Sequence, residues 1–285
     1  MPQDDASQDV PQELPHEDAT AADTALLEVL TDEELAVLSV EEGVAVTPHL
    51  SAVAPRERDA LLQTAYRGLV ARGIVEPPTA GARAQARAQV ARARAEAAAT
   101  GGAGPEPTLR IDVQIREDVG ALLTLRRGAQ AVVAMARTAA VVQDYVYVYV
   151  VDDVLLVEVV SADGFHRFSL RRTADLLATV LDAAVLPDAG DGHGDAVPVS
   201  LEPGDPTPPD RLLEEAGEAL MRCDLTVLVP ADPAPLLLGL FSAPAGSWVL
   251  ESRFGSGGPV LARPVTGAEL RAAVAGALGA LGALA

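Results

Sequence analysis

The sequence contains no lysine: all 21 of its basic residues are arginine. That absence excludes a P-loop lysine, a Schiff-base lysine and a pyridoxal-phosphate anchor. It has one cysteine, Cys223, so no internal disulfide forms, and aromatic residues make up only 3% of the chain. Positive charge is scarce as well. Acidic residues outnumber basic ones 41 to 21, and a net charge of -20 repels phosphate backbones and anionic lipid surfaces. Nucleic acid is therefore a poor partner, and so is a membrane. No basic n-region, apolar stretch and small-residue cleavage site opens the chain, so a cytoplasmic location is expected. The longest apolar run, 272–285, is too short to span a bilayer and is built from Ala and Gly, which reads as a packing helix.

What is present is a chain of 285 residues, long enough to bury a sizeable core without staples. Residues 1–22 hold Asp4, Asp5, Asp9, Glu13, Glu17 and Asp18 with no basic residue, the composition of a disordered acidic tail. Thr31 stands three residues before Glu34, a capping box that opens a helix. Helices are also expected over 56–71 and over the Ala/Arg-rich stretch 82–99, with Gly73 and the glycines at 101, 102 and 104 as stops. Further on the apolar period shortens to two. The runs 109–115 (LRIDVQI) and 145–150 (YVYVYV) alternate as strands do. Strands are also expected at 131–136, 154–160, 165–170, 197–201, 225–229, 236–241, 247–253 and 259–263, and helices at 118–127, 173–186, 211–222 and 266–284.

Shifting the chain by 93 positions reveals an internal repeat. Leu156-Val-Glu158 falls on Val249-Leu-Glu251, Gly164 on Gly257, Phe168 on Leu261, Thr173 on Thr266 and Leu177 on Leu270, with no gap. Thr173 and Thr266 stand where a helix N-cap is wanted, and Gly164 and Gly257 where a hairpin needs positive φ. The fold class expected is α+β, with two quasi-repeated halves, each an antiparallel β-meander with flanking helices, preceded by an N-terminal helical segment. The divisions are 1–22 for the tail and 23–285 for one α+β domain. Within the latter come N-terminal helices (23–102), a first half-repeat (103–187), a flexible linker (188–196) and a second half-repeat (197–285).

Chemistry is thinly marked. His16 and His49 have no neighbours at ligand spacing, and His166 reads as an ordinary half-exposed strand residue. The loop 188–195 superficially resembles a calcium loop, with Asp191, His193 and Asp195 alternating and Glu202 at the twelfth position. His193 replaces an oxygen ligand, however, and Ala196 stands where the sharp turn needs glycine. No metal or cofactor is expected, and no catalytic residue is assigned, because the nucleotide, nucleophile-elbow and zinc-protease fingerprints are missing. Tyr145, Tyr147 and Tyr149 share one face of a strand. Exposed, they form a protein-binding platform, and they are the candidate partner-binding residues; buried, they pack beneath a helix with their hydroxyls at the edge. Residues 31–78 also permit an alternative, a winged-helix-like DNA-binding regulator with a C-terminal sensing domain. Against it, Glu57 and Asp59 offset Arg56 and Arg58, and no strand pair follows to make a wing.

Several segments together resemble the EspG family, the cytosolic chaperones of type VII (ESX) secretion in actinobacteria. They are the opening Leu30-Thr-Asp-Glu-Glu-Leu-Ala-Val-Leu38, the helix end Leu69-Val-Ala-Arg-Gly-Ile-Val75, the hairpin segment Gly246-Ser-Trp-Val-Leu-Glu-Ser252, the run Pro259-Val-Leu-Ala-Arg-Pro264 and the terminal helix. A lysine-free, Ala- and Arg-rich composition suits a high-GC actinobacterium. The resemblance implies a quasi-two-fold α+β fold and a non-enzymatic chaperone. Such a chaperone binds a helical secretion substrate, PE/PPE-like or WXG-type, and keeps it soluble until it reaches the membrane machinery. Contact residues in that family carry no fixed signature, so none is transferred to numbered positions.

Overall fold

A computed structural model describes residues 26–39, 43–99, 114–139, 142–199, 219–230, 232, 234–253, 260–279 and 281. The acidic segment 1–22 and the strand positions 109–113 lie outside them, as do 211–218 of the expected helix 211–222.

The first half opens on strand β1 (Leu26–Thr31), followed by helices α1 (Asp32–Leu38), α2 (Pro48–Ala52), α3 (Pro55–Ala71), α4 (Ala80–Ala99) and α5 (Glu117–Arg127). A meander of β2 (Ala131–Ala139), β3 (Val142–Val151), β4 (Val154–Val160) and β5 (Phe165–Arg172) comes next, then a 3-10 turn over Thr173–Asp175 and helix α6 (Leu176–Ala184). The second half repeats the plan with β6 (Val197–Val199), the meander β7 (Met221–Leu228), β8 (Leu236–Ala243), β9 (Gly246–Arg253) and β10 (Val260–Val265), and helix α7 (Gly267–Leu278).

The ten strands of the described residues form one antiparallel sheet in the order β1-β5-β4-β3-β2-β7-β8-β9-β10-β6. The two meanders join through their first strands, with Val133 opposite Val227 and Ala134 opposite Thr226. The shift of 93 carries Val133 onto Thr226 and Ala134 onto Val227, so the quasi-two-fold axis passes between these two pairs. The α+β class and the two-half meander expected from the sequence are therefore the observed architecture.

Alternation explains which face each strand buries. Val146, Val148, Val150, Leu155 and Val157 meet Cys223, Leu225, Leu238 and Leu240 on one face, under α6 and α7, in a single cluster that runs across both halves. The opposite face of the first half is covered by the N-terminal helices through Leu35, Leu69, Val119 and Leu122, joined by Leu30 of β1 and by Ile74 after α3. Phe241, Trp248, Leu250 and Ala262 form a third cluster on the second half.

Helix α4 differs from the others. Of its residues 80–96 only Ala86 is buried, and its Ala/Arg composition supplies helix propensity where tertiary burial is slight.

The expected capping box at Thr31 and the expected N-cap at Thr266 both form, the latter as a box as well. Thr31 Oγ1 accepts from Glu34 N and Thr266 Oγ1 from Glu269 N, each answered by the glutamate side chain. Gly164 has φ +80, as its turn requires, while Gly257 lies outside the described residues. Thr173 is not an N-cap. Its hydroxyl donates to the Asp152 carbonyl at 2.8 Å, and the 3-10 turn separates it from α6. Met221 and Arg222, expected at the end of a helix, begin strand β7, because Met221, Cys223, Leu225 and Val227 alternate into the core and pair with β2. Ile115 makes only an isolated bridge to Val75.

The 188–196 connection is a fixed strap rather than a flexible linker. Gly190 N–H donates to Ala243 O at 2.9 Å, Gly192 N–H to Val265 O at 2.8 Å, and Ser247 Oγ to Gly190 O at 2.7 Å. Asp191 Oδ1 accepts from Gly267 N at the start of α7, which commits that carboxylate to a helix terminus.

Candidate functional site

The three tyrosines do not form an open platform. Tyr147 and Tyr149 are buried in the cluster beneath the N-terminal helices, and only Tyr145 keeps partial exposure. Tyr147 Oη accepts from Val46 N at 3.1 Å, and Tyr149 Oη donates to Glu158 Oε2 at 2.6 Å. The row is thus a floor on which the N-terminal layer rests, with each buried hydroxyl partnered as burial demands.

Among the described residues, that floor holds the most concentrated buried chemistry. His166 on β5 is 0% exposed, not half-exposed as expected, and stands between two buried carboxylates. Its Nδ1 is 2.6 Å from Glu158 Oε1 on β4, and its Nε2 is 2.7 Å from Asp32 Oδ1 at the first turn of α1. Arg126, in the last turn of α5, donates through Nε to Glu158 Oε2 at 2.9 Å, and its guanidinium lies 5.9 Å from the Tyr149 ring centre. Asp32 Oδ2 also accepts from Leu50 N on α2 at 2.8 Å. Two carboxylates, one guanidinium and one doubly donating imidazolium balance in charge, and a buried set of this kind survives only when every member is satisfied.

The remaining carboxylates of the opening segment are matched in turn. Glu28 pairs with Arg72 and Arg116, Glu34 with Arg72 at 2.7 Å, and Glu33 with His49 at 2.6 Å. Arg72 also donates to Val29 O on the edge strand at 2.8 Å. The arginine nearest the end of the supposed recognition helix is therefore committed within the fold, and no wing follows it among the described residues.

Burial opposes protonation of His166, but the hydrogen bonds to Asp32 and Glu158, with their charges, outweigh it and raise its pKa above 6.5. Burial likewise opposes ionisation of Glu158. Its hydrogen bond to His166 and the charge of Arg126 prevail, and its pKa falls below 4.5. The two shifts bound a stability plateau. The His166 contribution is complete below about pH 6.5 and is lost as pH climbs through its raised folded-state value; the Glu158 contribution is complete above about pH 4.5 and is lost as pH falls through its depressed value. Urea midpoints are therefore expected to be highest between about pH 4.5 and 6.5 and to decline on both sides. A midpoint that stays flat from pH 6 to 10 contradicts the assigned charge of His166.

Sequence reasoning missed Asp32, Arg126, Glu158 and His166 as a group. One signal was available: Glu158 interrupts the apolar run VLLVEVV, and a carboxylate inside a buried strand requires a cation nearby. Its repeat counterpart, Glu251, is exposed, so the network belongs to the first half alone.

Cys223 is buried, and desolvation pushes its thiol up to about 12, which makes it inert as a nucleophile. Among the described residues no cluster of three or more His, Cys, Asp or Glu could hold a metal ion, and no helix is long and apolar enough to cross a membrane.

No family model matches the chain, and no curated protein matches it. Among solved structures, it is similar to the Mycobacterium tuberculosis type VII secretion system chaperone EspG5, solved in complex with the PE25–PPE41 dimer. Identity is 14% and the TM-score 0.39, over 65% of this chain and 83% of that one.

Proposed function

We infer that the protein is an EspG-like chaperone or adaptor of type VII secretion, without enzymatic activity, that binds a helical secreted substrate and keeps it soluble in the cytoplasm. One observation carries this reading: the segments on which the sequence resemblance rests pack together in pairs. The opening segment meets the end of α3, with Leu35, Leu38, Leu69, Ile74 and Val75 in one cluster and Arg72 bonded to Glu34. The Gly246–Ser252 segment pairs with the 260–264 run, Ala262 opposite Leu250 and Pro264 opposite Trp248. Soft motifs that converge in this way are parts of one scaffold, and the quasi-two-fold sheet they build is the architecture the resemblance implies. A strongly acidic, self-satisfied scaffold of this kind acts through its surface.

The test is affinity purification of the tagged chain from its native host at moderate salt, with mass spectrometry of what stays bound. A stoichiometric helical secretion substrate, which then co-elutes with the purified chain in size exclusion, is the expected result. Recovery of a bare chain with no secreted partner overturns the chaperone assignment.

A further inference from the structure

Among the described residues β1 ends the sheet, paired to β5 alone. An edge strand offers its outward N–H and C=O groups to any other strand, and the run LLEVLT, largely apolar and without proline, is a good template. At the opposite end β6 is three residues long and carries Pro198, which lacks the donor. β1 has neither protection.

Its register shows which peptide groups point outward. Asp32 N–H donates to Gly164 O at 2.9 Å, so Leu30 and Glu28, opposite His166 and Phe168, turn their groups toward β5, and Val29 and Thr31 turn theirs away. Side chains take these outward groups. Val29 N–H donates to Glu28 Oε1 at 3.1 Å, Val29 O accepts from Arg72 Nη2 at 2.8 Å, and Thr31 N–H donates to Glu34 Oε2 at 3.2 Å. The same side chains hold one another. Arg72 Nη2 lies 2.5 Å from Glu28 Oε1 and Nη1 2.7 Å from Glu34 Oε2, and Arg116 closes the set on Glu28 Oε2. Arg72 follows α3 and Arg116 precedes α5; the bonds from Glu76 N–H to Gln114 O and from Arg116 N–H to Ile74 O bring both guanidinium groups to one carboxylate. Beside this clasp Leu26 and Leu27 are 60% and 41% exposed, so the start of the strand is open to solvent.

We propose that the clasp of Glu28, Glu34, Arg72 and Arg116 is an autoinhibitory guard on the sheet edge, and that once it opens β1 pairs antiparallel with β1 of a second copy. The strand itself points to that occupant. About a two-fold axis at Val29, the two Val29 residues exchange N–H···O=C bonds and Leu27 lies opposite Thr31, so the segment is its own complement. The inference stands independently of the chaperone assignment, since neither the clasp nor its test involves a protein client.

The experiment is analytical ultracentrifugation of the full chain, at a salt concentration that screens its charge of -20. The unaltered chain is expected to sediment as a monomer. Glu28→Ala with Arg72→Ala removes one charge of each sign and frees Val29 N–H and O; this variant should dimerise at least roughly tenfold more tightly than the unaltered chain. Adding Val29→Pro, which deletes the outward donor but no bond to β5, returns it to monomer, and so does Val29→Asp, which sets two carboxylates opposite each other across the two-fold. Arg72→Ala alone frees only the carbonyl and dimerises more weakly through the same contact. A folded double variant that stays monomeric overturns the proposal, as does a dimer that survives both changes at Val29 or an unaltered chain that already associates through β1. Loss of the folded state in both clasp variants overturns it too, because the clasp is then a tie the fold requires and not a guard.

Discussion

Replacing His166 with alanine is expected to lower the free energy of unfolding by about 3–5 kcal/mol, the cost of removing one partner from a buried ionic set. The size follows from what remains behind. Asp32 Oδ1 loses its bond to the imidazole and Glu158 Oε1 keeps only the 3.4 Å contact to Arg126 Nη2, and both residues are fully buried, so water cannot take the imidazole's place without opening the fold. His166→Gln recovers little, because a neutral amide supplies no charge to offset either carboxylate. Adding Asp32→Asn to His166→Ala removes one of the two stranded charges, so the pair should be less destabilising than the sum of its parts, with a coupling of about 0.5–3 kcal/mol. Urea denaturation of the four proteins in that cycle measures it. A loss below about 1 kcal/mol for His166→Ala, within the range of an exposed ion pair, shows that the ring is not charged in the folded state.

Gly192→Ala should also be among the most damaging single changes, although the residue lies in a stretch rich in aspartate and glycine that reads as a loop. A Cβ at 192 would stand 2.0 Å from Ser247 O and 3.1 Å from Ser247 C and Val265 N, all backbone atoms that no rotamer change relieves. The strap must lift away, which breaks the Gly192 N–H bond to Val265 O and draws Asp191 off the start of α7. A loss of about 1–3 kcal/mol is expected from the overpacking alone, and the ruptured bonds add to it. Gly120→Ala in α5 is the contrasting case: nothing lies within 4 Å of a Cβ there, and the change should stabilise by about 0.5–1 kcal/mol. Equal urea midpoints for the two variants contradict the close approach at Gly192.

The sequence was most legible where one residue's chemistry decides a local event. The threonines at 31 and 266 cap their helices because a hydroxyl and a glutamate three residues on complete a box within one turn. The meanders were legible from alternation, and the repeat from its unbroken shift. Contacts set by tertiary packing were not. Edge strand β1 was missed because LLEVLT runs straight into a helix cap and shows no clean alternation. The burial of Tyr147 and Tyr149 depends on helices that come earlier in the chain, and period two names a face without saying what covers it. The Asp32–His166 bond joins residues 134 positions apart, a distance no local pattern spans. The strap at 188–196 looked mobile because glycine permits both freedom and close backbone approach, and only the neighbouring atoms distinguish the two.

Joining the meanders through β2 and β7 also sets an order of assembly. Within each half, successive strands are near neighbours in the chain, so their hairpins close short loops at small entropic cost and form on the microsecond scale. The pairing of Val133 with Val227 instead closes a loop that contains most of the first meander, α6 and the strap. Its nucleation is correspondingly slower, and it gains most when both partners are already extended. The halves are therefore expected to form early and dock late, and substitutions on the inner edges of β2 and β7 are expected to slow folding through that step, which stopped-flow refolding measures.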